Sequence, residues 1–221
     1  SKLNQIQSEY MKLVHHQKQS DFDKKLYIKP RDFIGPSSIS LEMQHIIPLK
    51  DDETGSRTTI YDNYCVTDKA DGNRKLLYIS GKSGAVYLIN TQMDFQYTGM
   101  ICTKNQYYNC LLDGEHITRS RDGTRIHYYA IFDIYYHNGK DIRNLPFIHI
   151  EPSQDLHSRF DYIKHIMDNI EYKYEGDKNQ LQIITKSFMV SSSILSDCKK
   201  ILQQKETYIY EIDGLIFTPI S

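Results

Sequence analysis

The sequence predicts an α+β domain in which antiparallel strands dominate and a few helices flank them. Two observations support this. From Tyr61 to Tyr136, short runs rich in Val, Ile, Leu and Tyr follow one another across hairpin-type turns. Only three stretches show helical spacing, near the start, after residue 153 and near residue 200. At 221 residues, 39% hydrophobic and 25% charged, the chain is long enough to bury a core.

The elements follow in order. Leu3, Ile6, Tyr10, Leu13 and Val14 lie at helical spacing, so residues 3–18 form an amphipathic helix, with His15-His16 as a solvated pair. Pro30 and Pro36 break it from a segment, Ile34-Gly35-Pro36 to Ile39-Ser40-Leu41, expected as a turn leading into a short packed stretch. Residues 50–59 are a polar loop. Tyr64–Thr67 opens the strand-rich part. Lys75–Ser80 and Ala85–Asn90 flank Gly81-Lys82-Ser83-Gly84 as a hairpin. Strands are expected at Met93–Thr98, Cys110–Ile117 and Tyr128–Tyr136, with a turn at His137-Asn138-Gly139-Lys140. Ser153 is placed to cap a helix whose face is Leu156, Phe160, Ile163, Ile166 and Ile170. A strand at Leu181–Val190, a helix at Ile194–Gln203 and a strand at Tyr208–Thr218 complete the chain. The 18 tyrosines are scattered and suit core filling better than a site.

Several function classes are disfavoured. No apolar run is long enough to span a membrane, and the polar start, Ser1-Lys2-Leu3-Asn4-Gln5, is no secretory signal. With no initiating Met, the chain reads as a piece of something longer. A net charge of −1 argues against a broad nonspecific nucleic-acid surface, though not against gripping one RNA end. Cys65, Cys102, Cys110 and Cys198 show no CxxC or ligand spacing and read as free thiols in a reducing compartment. The nine histidines form no HExxH.

The informative stretch is Lys69-Ala70-Asp71-Gly72-Asn73-Arg74, a K-x-D-G-x-R pattern at the end of a strand-like run. A lysine there, followed by an Asp-Gly turn and an arginine, suits a nucleophilic amine aimed at a phosphate. Three further stretches follow in order: Leu112-Asp113-Gly114-Glu115, Ile131-Phe132-Asp133, and Glu211-Ile212-Asp213-Gly214-Leu215-Ile216-Phe217. Together the four resemble motifs I, III, IIIa and IV of the covalent nucleotidyltransferases, which include mRNA capping guanylyltransferases and ATP-dependent DNA and RNA ligases. Asp213-Gly214, where ligases usually have Glu-Gly, and the upstream Gly35-Pro36 segment resemble capping enzymes, and the layout is similar to the central module of multifunctional capping enzymes of large DNA viruses.

The resemblance implies an ATP-grasp-like ligase/capping-enzyme domain with antiparallel sheets and flanking helices over 1–221, with 1–60 as its N-terminal helix and lead-in. It implies that Lys69 attacks the α-phosphate of GTP and is left carrying GMP. A free lysine is about 99.9% protonated at neutral pH, so such an amine needs neighbouring cations and a bound divalent metal to disfavour its second charge. Nucleotide binding is implied for Asp71, Gly72, Arg74, Glu115, Phe132 and Lys186. Arg74 would reach ribose or phosphate, Glu115 the ribose hydroxyls, Phe132 the guanine face and Lys186 the guanine oxygen. Asp213, with Glu115, would hold Mg²⁺ or Mn²⁺. Asp133 reads as structural. Each has a plainer alternative: core packing for Phe132, a solvent-facing strand lysine for Lys186, a surface ion pair for Arg74, and simple exposure for Glu211, which alternation places on the same face as Asp213.

The implied partners are GTP and a 5′-diphosphate RNA end, with triphosphatase and methyltransferase modules on the same or an associated chain, in an intracellular setting that for a viral protein is the virion or host cytoplasm. Two departures qualify this. Ala70 stands where cellular capping enzymes often have Thr, so base selectivity is not expected from that position. The chain also ends before the motif V strand and the oligonucleotide-binding-fold domain, so weak or absent self-guanylylation is expected of the fragment. The competing readings are an ATP-dependent ligase and a non-catalytic nucleotide- or RNA-end-binding module.

Overall fold

The computed structural model describes residues 1–16, 27–50, 58–151, 155–176, 179–190 and 193–221. Helix α1 spans Lys2–His15 and is capped by Ser1, whose side chain accepts from the Asn4 amide. A short helix α2 (Met43–Ile46) precedes the strands. Strands β1 (Tyr64–Ala70), β2 (Asn73–Ile79), β3 (Ala85–Ile89), β4 (Phe95–Cys102), β5 (Cys110–Arg119), β6 (Arg125–His137) and β7 (Lys140–Asp141) follow. Then come α3 (Arg159–Asn169), β8 (Tyr172–Tyr174), β9 (Gln182–Thr185), α4 (Ile194–Gln203) and β10 (Ile212–Pro219). The eight-stranded sheet runs β7-β6-β5-β2-β3-β4-β8, with β9 added parallel to β6. β1 and β10 pair antiparallel as a separate two-stranded sheet. The α+β class with antiparallel sheets and flanking helices is observed.

Both faces of the large sheet are covered, which is why β2 reads as a continuous apolar run and not an alternating one. Leu76 and Tyr78 face Ile6, Tyr10, Met11 and Val14 of α1, while Leu77 and Ile79 face Tyr162, Ile163 and Ile166 of α3. Tyr10 shows the packing: its ring meets Tyr78 and Phe95 edge-on at 6.1 and 5.6 Å, and its hydroxyl donates to the Asp32 carbonyl at 2.6 Å. That bond ties the lead-in segment to α1. Other tyrosines (Tyr78, Tyr107, Tyr129, Tyr136) are likewise buried, as core filling requires. A smaller cluster of Ile60, Val66, Ile194 and Ile201 seats α4 on β1.

Several expected elements differ. Helix α1 stops at His15 because His16 takes a left-handed conformation at φ 50°; residues 17 and 18 lie outside the described residues. His15 is exposed but not merely solvated, since its Nε2 lies 2.9 Å from Asp32 Oδ1. The stretch ending at Ile39 and Leu41 does not pack: they are 79% and 42% exposed. Most of the expected polar loop, and Ser153, lie outside the described residues. Helix α3 is instead capped by Ser158, whose hydroxyl accepts from Asp161 N at 3.1 Å while Asp161 Oδ2 accepts from Ser158 N at 3.0 Å. Leu156 therefore falls outside the helix. β9 covers only four of the ten residues from Leu181 to Val190, and β10 begins at Ile212, four residues later than expected. The thiols of Cys65, Cys102, Cys110 and Cys198 are free, and burial pushes those of Cys65 and Cys110 up to about 12. No helix among the described residues is long and apolar enough to cross a membrane.

Candidate active site

Lys69 is the penultimate residue of β1, and it sits at an irregularity. Asp68 pairs with Leu215 and Ala70 with Ile212, so two residues of β10, Asp213 and Gly214, stand opposite Lys69 alone. Such a bulge breaks the alternation of the strand and re-aims side chains. Here it brings Lys69 Nζ to 3.8 Å from Asp213 Oδ1, with both side chains about half exposed, 55% and 49%. Ala70 turns the other way, into a cluster with Ile117, Ala130 and Tyr210.

Asp71 and Gly72 form the turn from β1 into β2. The Asp71 amide donates to the Glu211 carbonyl at 2.9 Å. Gly72 passes so close to β5 that a methyl group there would lie 2.6 Å from the His116 carbonyl oxygen. Its lack of a side chain therefore lets the lysine turn rest against the sheet.

Arg74 is not a loose surface cation. Its Nε and Nη2 donate to Asp113 Oδ1 and Oδ2 at 3.2 and 2.6 Å, and its Nη1 donates to the Pro36 carbonyl at 2.6 Å. Asp113 is fully buried and also accepts from the Tyr135 hydroxyl at 2.5 Å. Phe33 lies 5.1 Å from the guanidinium, and a methyl group on Gly35 would lie 2.7 Å from Asp113 Oδ2. The Ile34-Gly35-Pro36 segment therefore covers this ion pair, which explains the need for a glycine there. Two N–H groups of Arg74 stay uncommitted to these partners.

A second bulge places the aromatic residue. Asp113 pairs with Asp133 and Gly114 with Ile131, leaving Phe132 the extra residue of β6. Its half-buried ring lies 5.9 Å from the Arg74 guanidinium and 6.0 Å from Lys186 Nζ. Asp133 points away, and its Oδ1 accepts from Arg159 Nε at 2.8 Å, fastening α3 to β6.

Lys186 follows β9 and is buried at 4% exposure, so the solvent-facing alternative does not hold. Its Nζ donates to the Asp68 carbonyl at 2.7 Å and lies 3.5 Å from Asp68 Oδ2. Burial lowers its pKa below the usual lysine value, against the raising pull of Asp68, Glu115 and Asp213. Asp68 itself is buried and accepts from the Tyr210 hydroxyl at 2.8 Å. The sequence reasoning missed this acid; the signal was a lone charge inside the apolar run just before the lysine.

Glu115 lies opposite Arg74 on β5 and joins the groups electrostatically. Burial pushes its carboxyl up to about 7, with Asp213 and Asp113 raising it and Lys186 and Lys69 lowering it. Glu211, by contrast, precedes β10 and lies 3.7 Å from Arg121, so it does not share the Asp213 position. Lys69, Arg74, Glu115, Phe132, Lys186 and Asp213 are thus brought together, while Asp71 and Gly72 shape the flank. Among the described residues no group of three His, Cys, Asp or Glu side chains is arranged to hold a metal. Asp213 and Glu115 are two carboxylates of this site that sense each other's charge, and one or two carboxylates, with water and substrate phosphates, are the donor set Mg²⁺ commonly uses.

The raised Glu115 pKa has a testable sign. The native state keeps a proton that the unfolded state gives up between 4.5 and about 7. This contribution favours the native state at low pH and is lost as pH rises through about 7. Glu115→Gln, neutral at every pH, is therefore expected to gain Tm over the wild type as pH rises from about 5 to about 8 in metal-free buffer. Thermal melts with the same difference at both ends would contradict this.

A family model described as mRNA capping enzyme, catalytic domain, matches residues 3–221. A probable mRNA-capping enzyme of Acanthamoeba polyphaga mimivirus is 27% identical over 224 residues, covering 83% of this chain. The chain spans only 18% of that relative's length. Among solved structures, a mycobacterial DNA ligase D complexed with ATP and MES aligns over 72% of this chain and 48% of its own, at 12% identity and a TM-score of 0.45. With nearly every residue inside the family match, the chain belongs to the mRNA capping enzyme catalytic-domain family.

Proposed function

We propose that this chain is a GTP:RNA guanylyltransferase module working through a covalent Lys69–GMP intermediate. The observation that carries the reading is the bulge-exposed amine of Lys69, 3.8 Å from Asp213 and flanked by Glu115, Phe132 and the buried Lys186. In the first step Lys69 Nζ attacks the α-phosphorus of GTP, a P–N bond forms, and the bond to the β-phosphate oxygen breaks to release pyrophosphate. In the second, a terminal oxygen of a 5′-diphosphate RNA attacks the same phosphorus and the P–N bond breaks, freeing the lysine. Mg²⁺ or Mn²⁺ held by Asp213 and Glu115 would neutralise phosphate charge. Phe132 offers a ring face to the base, Lys186 keeps N–H groups for the guanine O6, and the free N–H groups of Arg74 serve ribose or phosphate. In this reading, triphosphatase and methyltransferase modules on the same or an associated chain supply the diphosphate end and finish the cap.

The test is labelling of the full-length protein with α-labelled GTP or ATP, each with Mg²⁺ or Mn²⁺. Acid-labile label from GTP alone is expected; label from ATP would assign the chain to ligase chemistry. Lys186→Met is expected to cut GTP labelling about tenfold or more, the scale of a lost hydrogen bond to a charged group.

A further inference from the structure

Strand β5 carries a line of side chains on one face: Asp113, Glu115, Ile117 and Arg119. Asp113 holds Arg74, Glu115 joins the site, and Ile117 packs with Ala70 and Tyr210. Arg119 ends the line about 13 Å beyond Glu115, taking roughly 3.3 Å per residue. Directly across the hairpin it faces Arg125. Like charges in opposed positions destabilise a strand pair, yet neither has an ion-pair partner among the described residues, whereas Arg74, Arg121, Arg143 and Arg159 each pair with an acid. The hairpin is braced: Arg119 Nη1 donates to the Gly123 carbonyl at 3.2 Å, and Arg121 Nη1 to the Lys205 carbonyl at 2.8 Å. Between it and the Asp71–Asn73 turn runs a groove of about 270 Å³, lined on the hairpin side by Thr118, Arg119 and Ser120 and also by Glu211, whose carboxylate lies 3.7 Å from Arg121; Arg125 stands outside the lining, across from Arg119.

We propose that Arg119 and Arg125 are a phosphate-binding rim that grips the backbone of the acceptor RNA within the first few nucleotides of its 5′ end. Two guanidinium groups with no acid partner among the described residues suit phosphate oxygens, Arg119 keeping further N–H groups beyond its bond to Gly123, and the groove adjoins the turn that follows Lys69. Their distance along β5 from the Glu115 site favours the RNA chain over the triphosphate of GTP. This inference rests on the guanylyltransferase reading for its substrate, and the test separates the two.

In the full-length protein, Arg119→Glu with Arg125→Glu is expected to take label from GTP with unchanged KM. Its KM for a 5′-diphosphate RNA should rise roughly tenfold or more at low salt. The slope of log affinity against log salt should become shallower by about 0.7 for each phosphate contact removed. Arg119→Lys with Arg125→Lys should keep most of the RNA affinity, and the Glu variant should melt close to wild type because it replaces one facing like-charge pair with another. An unchanged RNA KM and salt slope overturn the proposal, and so does a rise in the KM for GTP. If the wild type takes no label from GTP, the guanylyltransferase reading fails on its own. Fluorescence anisotropy with the same RNA then judges the rim: weaker binding by the Glu variant supports it, and equal binding overturns it.

Discussion

Replacing Lys69 with Ala is expected to abolish nucleotide labelling of the full-length protein, a loss of at least roughly 10³-fold, as when a nucleophile is removed from residues that act as a unit. The expectation follows from the bulge. Lys69 is the β1 residue set against two β10 residues, and its amine faces Asp213 across that irregularity. The other two amines of this part of the chain are poorly placed to substitute. Lys186 is buried and donates to Asp68, and Lys75 lies one residue past Arg74, out of step with the face carrying Glu115. Lys69→Arg keeps the charge without a transferable nucleophile and should fail equally. The same variants should keep the wild-type Tm within a degree or two, because the side chain is 55% exposed and its one ion pair is a long surface contact. Residual labelling of Lys69→Ala at wild-type level would remove the basis for the mechanism.

The largest effect on stability is expected at Asp113. Its carboxylate accepts from Arg74 twice and from Tyr135 once, with no exposure to water. Asp113→Ala strands a guanidinium that is only 25% exposed and leaves the Tyr135 hydroxyl without its acceptor. Breaking a buried pair from one side costs about 3–5 kcal/mol, and the partial exposure of Arg74 points to the lower end. For a domain of this size, each kcal/mol corresponds to about 2–4 °C, so a Tm drop of roughly 6–12 °C is expected. Removing both charges should cost less than removing Asp113 alone, since no uncompensated ion remains. Thermal melts of Asp113→Ala, of Arg74→Met and of the two combined measure this. An additive double variant would mean that the two side chains do not act as a pair. Activity should fall in all three, because Arg74 would no longer be held beside Phe132.

What was legible in the sequence depended on how local its cause was. Helix α4 follows the expected Ile194–Gln203 because its apolar spacing is a property of that segment alone. The β2–β3 hairpin is likewise marked by its own turn residues. The nucleophile stood out because Lys69, the Asp-Gly turn and Arg74 are neighbours in the chain. Two bulges and two ion pairs were not legible because they arise from register and contacts between separate segments, which no local run displays. The bulges opposite Lys69 and at Phe132 exist only in the register of β1 with β10 and of β5 with β6. Alternation, which assumes no bulge and a longer β10, therefore set Glu211 beside Asp213, whereas Glu211 pairs with Arg121 outside the strand. The Asp68–Lys186 contact joins residues 118 apart, and the Arg74–Asp113 pair joins residues 39 apart. In each, the sequence shows one charged residue within an apolar run but not the partner that makes its burial tolerable. Ser158, five residues beyond Ser153, reflects a capping box that its Asp161 spacing had already encoded.

The mechanism requires the nucleotide to become attached to Lys69. Incubating the full-length protein with GTP and Mg²⁺, quenching at alkaline pH and mapping the adduct by peptide mass spectrometry addresses this directly. A GMP adduct confined to Lys69 is the predicted result. GMP on another residue, an AMP adduct formed preferentially from a GTP–ATP mixture, or no adduct under conditions where RNA is capped would contradict it.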